Sequence, residues 1–329
     1  MTAAPRDRNR PPGADAFRAQ AEQFWRASTV VAAPEDPGPG AWVGAPSAVL
    51  HDGVWWLAYR RRRPLGEGRG IANVVARSTD GVTFEPVVEI GRAAFGAESL
   101  ERPALVRVPH GPWRLYVSCA TPASKHWRVD LLEAATVEGL AAAVPCTVFP
   151  GSAHQGVKDP VVRRDGDRWQ LWASVHPLED PEATDRMTTE HATSVDGITW
   201  AWTGTALAGT PGTWDARGAR VTTVVLDGDS TWALYDGRAD AAENWEERTG
   251  LARIAPDGRH LTADSAGPLL ASPHPPGGLR YVDGVPVGDG TVRWFFEVTR
   301  ADGAHELRTV LLAATPRRGH GSELPRVVA

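Results

Sequence analysis

The chain is short of several residue types, and each shortage excludes something. Its two cysteines, Cys119 and Cys146, are too few for a disulfide scaffold and are not spaced as a zinc site. Its two lysines, Lys125 and Lys158, leave 33 of the 35 basic residues as arginine. Basic residues do not outnumber the 40 acidic ones, and the net charge of -5 removes the broad electrostatic case for nucleic acid or an anionic membrane. No stretch approaches the roughly 18 apolar residues of a membrane-crossing helix. The N-terminus carries arginines but no apolar core of a secretory signal, so the expected location is the cytoplasm. Long amphipathic helical patterns are also missing, apart from a short one around residues 15–26.

What the chain has in quantity is glycine (34), proline (27) and tryptophan, which supplies 14 of the 25 aromatic residues and is spread along the whole length. Self-similarity explains that spread. Five segments begin at Ala45, Arg102, Lys158, Ala219 and Leu279. Each has a β-rich run, a tight polar turn (HDG, PHGP, RDGD, LDGD, VGDG) and a second run containing Trp or Phe. Asp-Gly and Gly-Asp turns between alternating apolar runs are strong hairpin signals, because glycine takes the positive φ such turns need. Pro46, Pro103 and Pro160 mark one place in the first three units, about 57 residues apart. A second hairpin follows in most units, as in STDGVTF from Ser78 and SVDGITW from Ser194.

Four strands per unit and five units predict an all-β protein, a five-bladed β-propeller with four-stranded blades around a central funnel. Two β-sandwich domains are the rival, disfavoured by the regular period. The expected division is an arm with a short helix over 1–27, one propeller over 28–315, and a tail over 316–329. The β-rich stretch near Val30 is expected to supply the outer strand of the last blade and close the ring. Trp56, Trp172, Trp232 and Trp294 fall in second strands, where inter-blade packing is the default role.

The blade start Lys158-Asp159-Pro160 and the S-x-D-G-x-x-W hairpins resemble the five-bladed propeller glycosidases, including glycoside hydrolase families 43, 32 and 68 and the related mannoside phosphorylases. The resemblance covers roughly residues 40–315. It implies three carboxylates around the funnel, from the starts of the first, third and fourth blades, acting as acid, as base or nucleophile, and as a tuning group. Asp159 matches the third-blade position. The first blade has Ala45 where the family has Asp, and the fourth has Arg220 near the place of the family's Glu. One position of three is carried over.

The propeller plan also says which residues should meet: those at the starts of innermost strands and at the ends of second strands. The catalytic candidates are Asp159, Glu101, Asp236 and Glu297. The substrate-binding candidates are Trp42, Arg60, Arg102, Lys158, Trp214, Asp215, Arg217, Arg220, Trp245 and Arg280. Each has a structural alternative: Asp159 could cap a turn beside Lys158, Glu101 could pair with Arg102, and Asp236 and Glu297 could bridge blades. The polar stretch RADAAENWEERT, with Trp245 in its middle, and the connection from His176 to His191 are candidate lids. No cofactor and no metal is expected, since no cluster has metal-ligand spacing. The expected function is glycoside hydrolase-like, on a small anionic glycoside or oligosaccharide, because Arg offers bidentate contacts to carboxylate or phosphate. The alternatives are a sugar-binding pseudo-enzyme, favoured by Ala45 and Arg220, and a tailoring enzyme of specialised metabolism.

Overall fold

The computed structural model describes residues 14–313 except 125, 228, 229, 256, 265, 266 and 289. The arm before residue 14, the tail 316–329 and Lys125 lie outside the described residues. Helix α1 (Ala14–Arg26) is followed by strand β1 (Thr29–Ala32). The remaining strands pair as antiparallel four-stranded units. The first unit is β2 (Trp42–His51), β3 (Val54–Arg62), β4 (Gly70–Ser78) and β5 (Glu85–Gly91). The second is β6 (Ser99–Arg107), β7 (Trp113–Ala120), β8 (Trp127–Ala134) and β9 (Cys146–Phe149). The third is β10 (Gln155–Asp165), β11 (Arg168–Pro177), β12 (Thr188–Ser194) and β13 (Ala201–Leu207). The fourth is β14 (Gly218–Asp227), β15 (Ser230–Arg238), β16 (Arg248–Ile254) and β17 (Leu261–Ala263). The last joins β18 (Leu279–Pro286), β19 (Thr291–Thr299) and β20 (His305–Ala313) to β1, so the N-terminal strand closes the ring as the stretch near Val30 suggested.

The innermost strands β2, β6, β10, β14 and β18 each contact the next, and β18 contacts β2. One repeated bond stitches them. In each case a side chain of one unit accepts a backbone N–H of the next unit's inner strand. Ser47 Oγ takes Leu105 N (3.0 Å), Ser118 Oγ takes Asp159 N (2.8 Å) and Thr189 Oγ1 takes Val221 N (2.9 Å). Asp236 takes Tyr281 N at 3.0 and 3.2 Å, and Asp283 Oδ2 returns to Ala48 N at 2.8 Å. Asp159 and Tyr281 lie where their strands shift register, between Lys158 and Val161 and between Arg280 and Asp283, and the other inner strands shift at a like place, between Gly44 and Ser47, Leu100 and Pro103, and Val221 and Thr223. A bulge leaves the extra residue unpaired and re-aims its side chain. Ala45, Asp159 and Tyr281 occupy the left-handed region there, with φ of 53°, 53° and 54°, a conformation that costs non-glycine residues energy and clusters at functional sites.

Between units the large rings pack at a tilt. Trp172, Trp232 and Trp294 are buried in the apolar clusters between blades, and Trp56 lies against Trp113 with ring centroids 5.2 Å apart. Helix α1 carries Phe17, Ala21 and Phe24 on one stripe. Phe17 meets Trp232 and Trp294 at 5.3 Å, so the helix covers the apolar wedge between the fourth and last units. In the outer hairpins Asp80 and Asp196 each accept the N–H groups two and three residues on, at 2.8 Å, an Asx turn with a purely structural task. No helix among the described residues is long and apolar enough to cross a membrane.

Candidate functional site

The bulges and the ends of the second strands bring charged side chains together at the centre of the ring. Period-two alternation sends Arg60 and Arg62 of β3 to one face and Arg61 to the other. Arg61 pairs at the surface with Glu35 and Glu89, while Arg60 is buried between Glu101 of β6 and Glu297 of β19 (2.9 Å to the latter). Glu297 also accepts from Arg280 of β18 (Nε, 2.9 Å) and contacts His305 Nδ1 at 2.8 Å. Arg280 continues to Glu247 (2.7 Å), which holds Arg238 on its other oxygen (2.6 Å) and lies 3.7 Å from Arg220. Arg220 of β14 is bound to Asp236 of β15 (2.7 Å) and Asp159 of β10 (3.1 Å). Lys158 Nζ ends the chain of alternating charge, 3.7 Å from Asp159. Tyr281, at the bulge position that Ala45 and Asp159 hold in their units, lies under Arg220 with its ring 3.9 Å from the guanidinium carbon.

Every one of these carboxylates is buried, and at Glu297, Glu247 and Asp159 the surrounding cations outweigh burial. Burial opposes the Glu297 charge, yet Arg280, Arg60 and His305 together hold its pKa well below the usual carboxylate range. Glu247 is depressed in the same way by Arg220, Arg280 and Arg238. Asp159 is also lowered: burial raises it, but Lys158, Arg220 and Arg102 outweigh burial. Asp236 is the exception. Burial pushes it up to about 6, only partly offset by Arg220 and the Tyr281 N–H. Lys158 moves down to about 8 because burial disfavours its charge more than Asp159 favours it. His176 is pushed down to about 3 by burial and by Lys158, so it stays neutral while Nδ1 contacts the Thr184 carbonyl at 2.9 Å.

Of the residues expected at the funnel, Asp159, Glu101, Asp236, Glu297, Arg60, Lys158, Arg220 and Arg280 join this one network. Arg102 is also central, but it reaches across the channel to the carbonyls of Pro46 (3.3 Å) and Thr222 (2.7 Å) rather than to a carboxylate. Trp42 lies flat on His305, with centroids 4.5 Å apart and planes 13° apart, and Trp245 meets Trp42 edge-on at 5.9 Å. Three candidates do not join. Trp214 packs into the apolar cluster of the fourth unit against Tyr235, filling the room left by Gly237 and Gly250. Asp215 accepts the Tyr235 hydroxyl at 2.8 Å and the Thr210 N–H, a buried turn lock. Arg217 forms a two-pronged pair with Asp185 at 2.8 Å. The long loops that supply Asp185 and Glu247 thus anchor onto the ring through arginine.

Arg62 belongs to the run Arg60-Arg61-Arg62 that the first unit offers to the funnel. Glu247, Arg238, Tyr281, His305 and Trp127 were not expected at the site. One signal for them was available: Tyr281 stands in its unit where Asp159 stands in another. Gly44 gave a further one: a Cβ there would lie 2.3 Å from Glu297 Oε2, so only glycine lets that carboxylate reach Arg60. Among the described residues no group of three His, Cys, Asp or Glu side chains is placed to hold a metal ion.

No protein-family model matches the chain, and no curated protein matches it. Solved structures do match. A thermostable family-43 glycoside hydrolase superposes with a TM-score of 0.63 at 13% identity, over 88% of this chain and 97% of its own. A structure from the GH130 family of mannoside phosphorylases, described as containing hydrolases of β-1,2-mannosidic linkages in Candida mannan, gives 0.62 at 14% identity, over 89% and 95%. The Bombyx mori family-32 β-fructofuranosidase BmSUC1 gives 0.58 at 11% identity, over 91% and 66%. At these identities the likeness establishes the fold: the chain is a propeller of the kind that glycoside hydrolases and phosphorylases use.

Proposed function

We propose that the protein binds an anionic sugar in the propeller funnel and does not hydrolyse it. The observation that carries this reading is Arg220, which stands near the place of an acid in the resembled enzymes and ties down both Asp159 and Asp236. Glycoside hydrolysis needs one carboxyl group that carries a proton to the leaving oxygen and a second that attacks or activates water. Glu297 and Glu101 are committed to Arg60, and Glu297 also to Arg280. Asp236 has the highest carboxyl pKa, about 6, but it is wholly buried and both its oxygens accept the Tyr281 N–H. Ala45 supplies no acid at all. A funnel rich in guanidinium groups and tryptophan is suited to gripping a charged sugar.

Calorimetry with a panel of acidic and neutral mono- and disaccharides, run beside a chromogenic glycoside screen, tests the reading. Binding of acidic sugars with no turnover is expected, and turnover that disappears in Asp159→Asn would refute it. One observation favours a hydrolytic or transferring enzyme as the second reading. Asp159 Oδ1 is buried and accepts no hydrogen bond from the described residues, which leaves one oxygen for a substrate atom.

A further inference from the structure

The charge network just described leaves one guanidinium out. Arg62 ends β3 and is 4% exposed. Among the described residues its side chain makes no hydrogen bond and no ion pair, and its Nε and Nη1 are buried without an acceptor. Its contacts are aromatic. The guanidinium carbon lies 3.7 Å from the Trp42 ring centroid and 5.1 Å from that of Trp245. Burial lowers its pKa first, and Arg60, Arg280 and Arg69 push it further down, with only Glu297 pulling the other way. A guanidinium nevertheless keeps its proton, so the site holds a positive charge with no countercharge of its own.

Two more cations share that shortage. Arg69 has a buried Nε with no acceptor and sits over the Trp127 ring at 5.7 Å. Lys158 sits over the same ring at 5.0 Å, and the one carboxylate that it pairs with among the described residues is the Asp159 that Arg220 already holds. Arg69 and Lys158 thus share the Trp127 ring of the second unit, and Arg69 acts electrostatically on Arg62 as well. A buried charge without a partner is among the costliest features a fold can keep. An arriving anion removes that cost, and does so more effectively in a partly desolvated site than in water.

The wall of the site is built in a strained shape. Trp245 has φ of 78°, is 39% exposed, and lies on the loop that leads into β16. Its two successors fix it: Glu246 contacts His305 Nε2 at 3.0 Å and accepts from Thr299 at 2.6 Å, while Glu247 is clamped by Arg238 and Arg280. A bulky residue in that backbone region persists only where its surroundings impose it. The imposed result is an indole standing over Arg62, where a ring can cover the nonpolar face of a sugar whose charged group meets the guanidinium.

We propose that Arg62, framed by Trp42 and Trp245 and supported by Arg69 and Lys158, is the subsite for the carboxylate or phosphate of an acidic sugar. This rests on the reading of the funnel as a sugar site. The test is calorimetry of the full chain with glucuronate, glucose 6-phosphate, glucose and inorganic phosphate, on the wild type, Arg62→Met and Lys158→Met. The expected result is that one or both anionic sugars bind at least tenfold more tightly than glucose. That preference should fall at least tenfold in Arg62→Met and less in Lys158→Met, and the better of the two sugars identifies the anion. Glucose binding as tightly as both acidic sugars, or an Arg62→Met protein that keeps the preference, overturns the subsite. Phosphate binding that depends on Arg62 without any sugar binding would keep the anion site and refute the sugar reading. Failure of every anion at millimolar concentration overturns both.

Discussion

Around Arg220 and Arg280 each guanidinium finds carboxylate oxygens between 2.7 and 3.2 Å away, from its own unit and from a neighbouring one. Around Arg62 the same group at the same depth finds two indoles and no carboxylate. The first region uses charge to join blades: Asp236 alone receives Arg220 and the Tyr281 N–H, so it belongs to the stitching of the ring as much as to any site. The second region joins units through ring contacts alone, and the countercharge for its cation comes only from outside. Similar residue types therefore serve cohesion on one side of the channel and reception on the other.

Removing Arg220 should break this comparison most visibly. Arg220→Met leaves Asp159 and Asp236 buried beside each other without their shared cation, and about 3–5 kcal/mol of stability should be lost, read by urea denaturation. Arg62→Met should lose none and is expected to gain, because it deletes an unpaired buried charge; equal destabilisation by the two variants would erase the distinction. Gly44→Ala forces the Glu297 side chain to move, and should cost about 1–3 kcal/mol in the same assay.

The smallest effect sharpens the receptive side. Lys158 is lowered to about 8 in the free protein, with Asp159, Arg220, Glu247 and Arg69 as the charged groups around it. A bound anion favours the ammonium form, so anion affinity should be fully present below that pH and weaken as pH rises through about 8, by roughly 1–2 kcal/mol. Calorimetry across pH 6.5 to 9.5 (about one and a half units either side of that value) measures it, and Lys158→Met should flatten the profile. A wild-type profile that is already flat would remove Lys158 from the subsite.

The fold was legible because its signals are local. Asp-Gly turns, the period of Pro46, Pro103 and Pro160, and tryptophans in second strands each act within one unit, and repetition amplifies them. The site was legible in part. Asp159, Glu101, Asp236, Glu297, Arg60, Arg220 and Arg280 could be named as central from their places at blade starts and strand ends. Trp214, Asp215 and Arg217 stand near a blade start in the sequence, yet Gly237, Gly250 and Tyr235 absorb the first two into the wall of their own unit, and Asp185 of the third unit's loop holds Arg217. Position along a repeat says which end of the ring a residue reaches, and neighbours from other units decide whether it stays free.

A ring of β-meanders, and the absence of two of the three carboxylates that its likeness to glycosidases implies, could be read from residue order alone, because hairpins and missing residues are properties of the chain. Which charges cancel depended on the folded arrangement. Arg60 and Arg62 are two residues apart and chemically identical, and Arg60 meets Glu101 and Glu297 from units that follow and precede it in the ring, while Arg62 meets Trp42 and Trp245. Countercharge comes from residues distant in sequence, and a buried cation becomes a lock or a receptor according to whether that distant partner arrives.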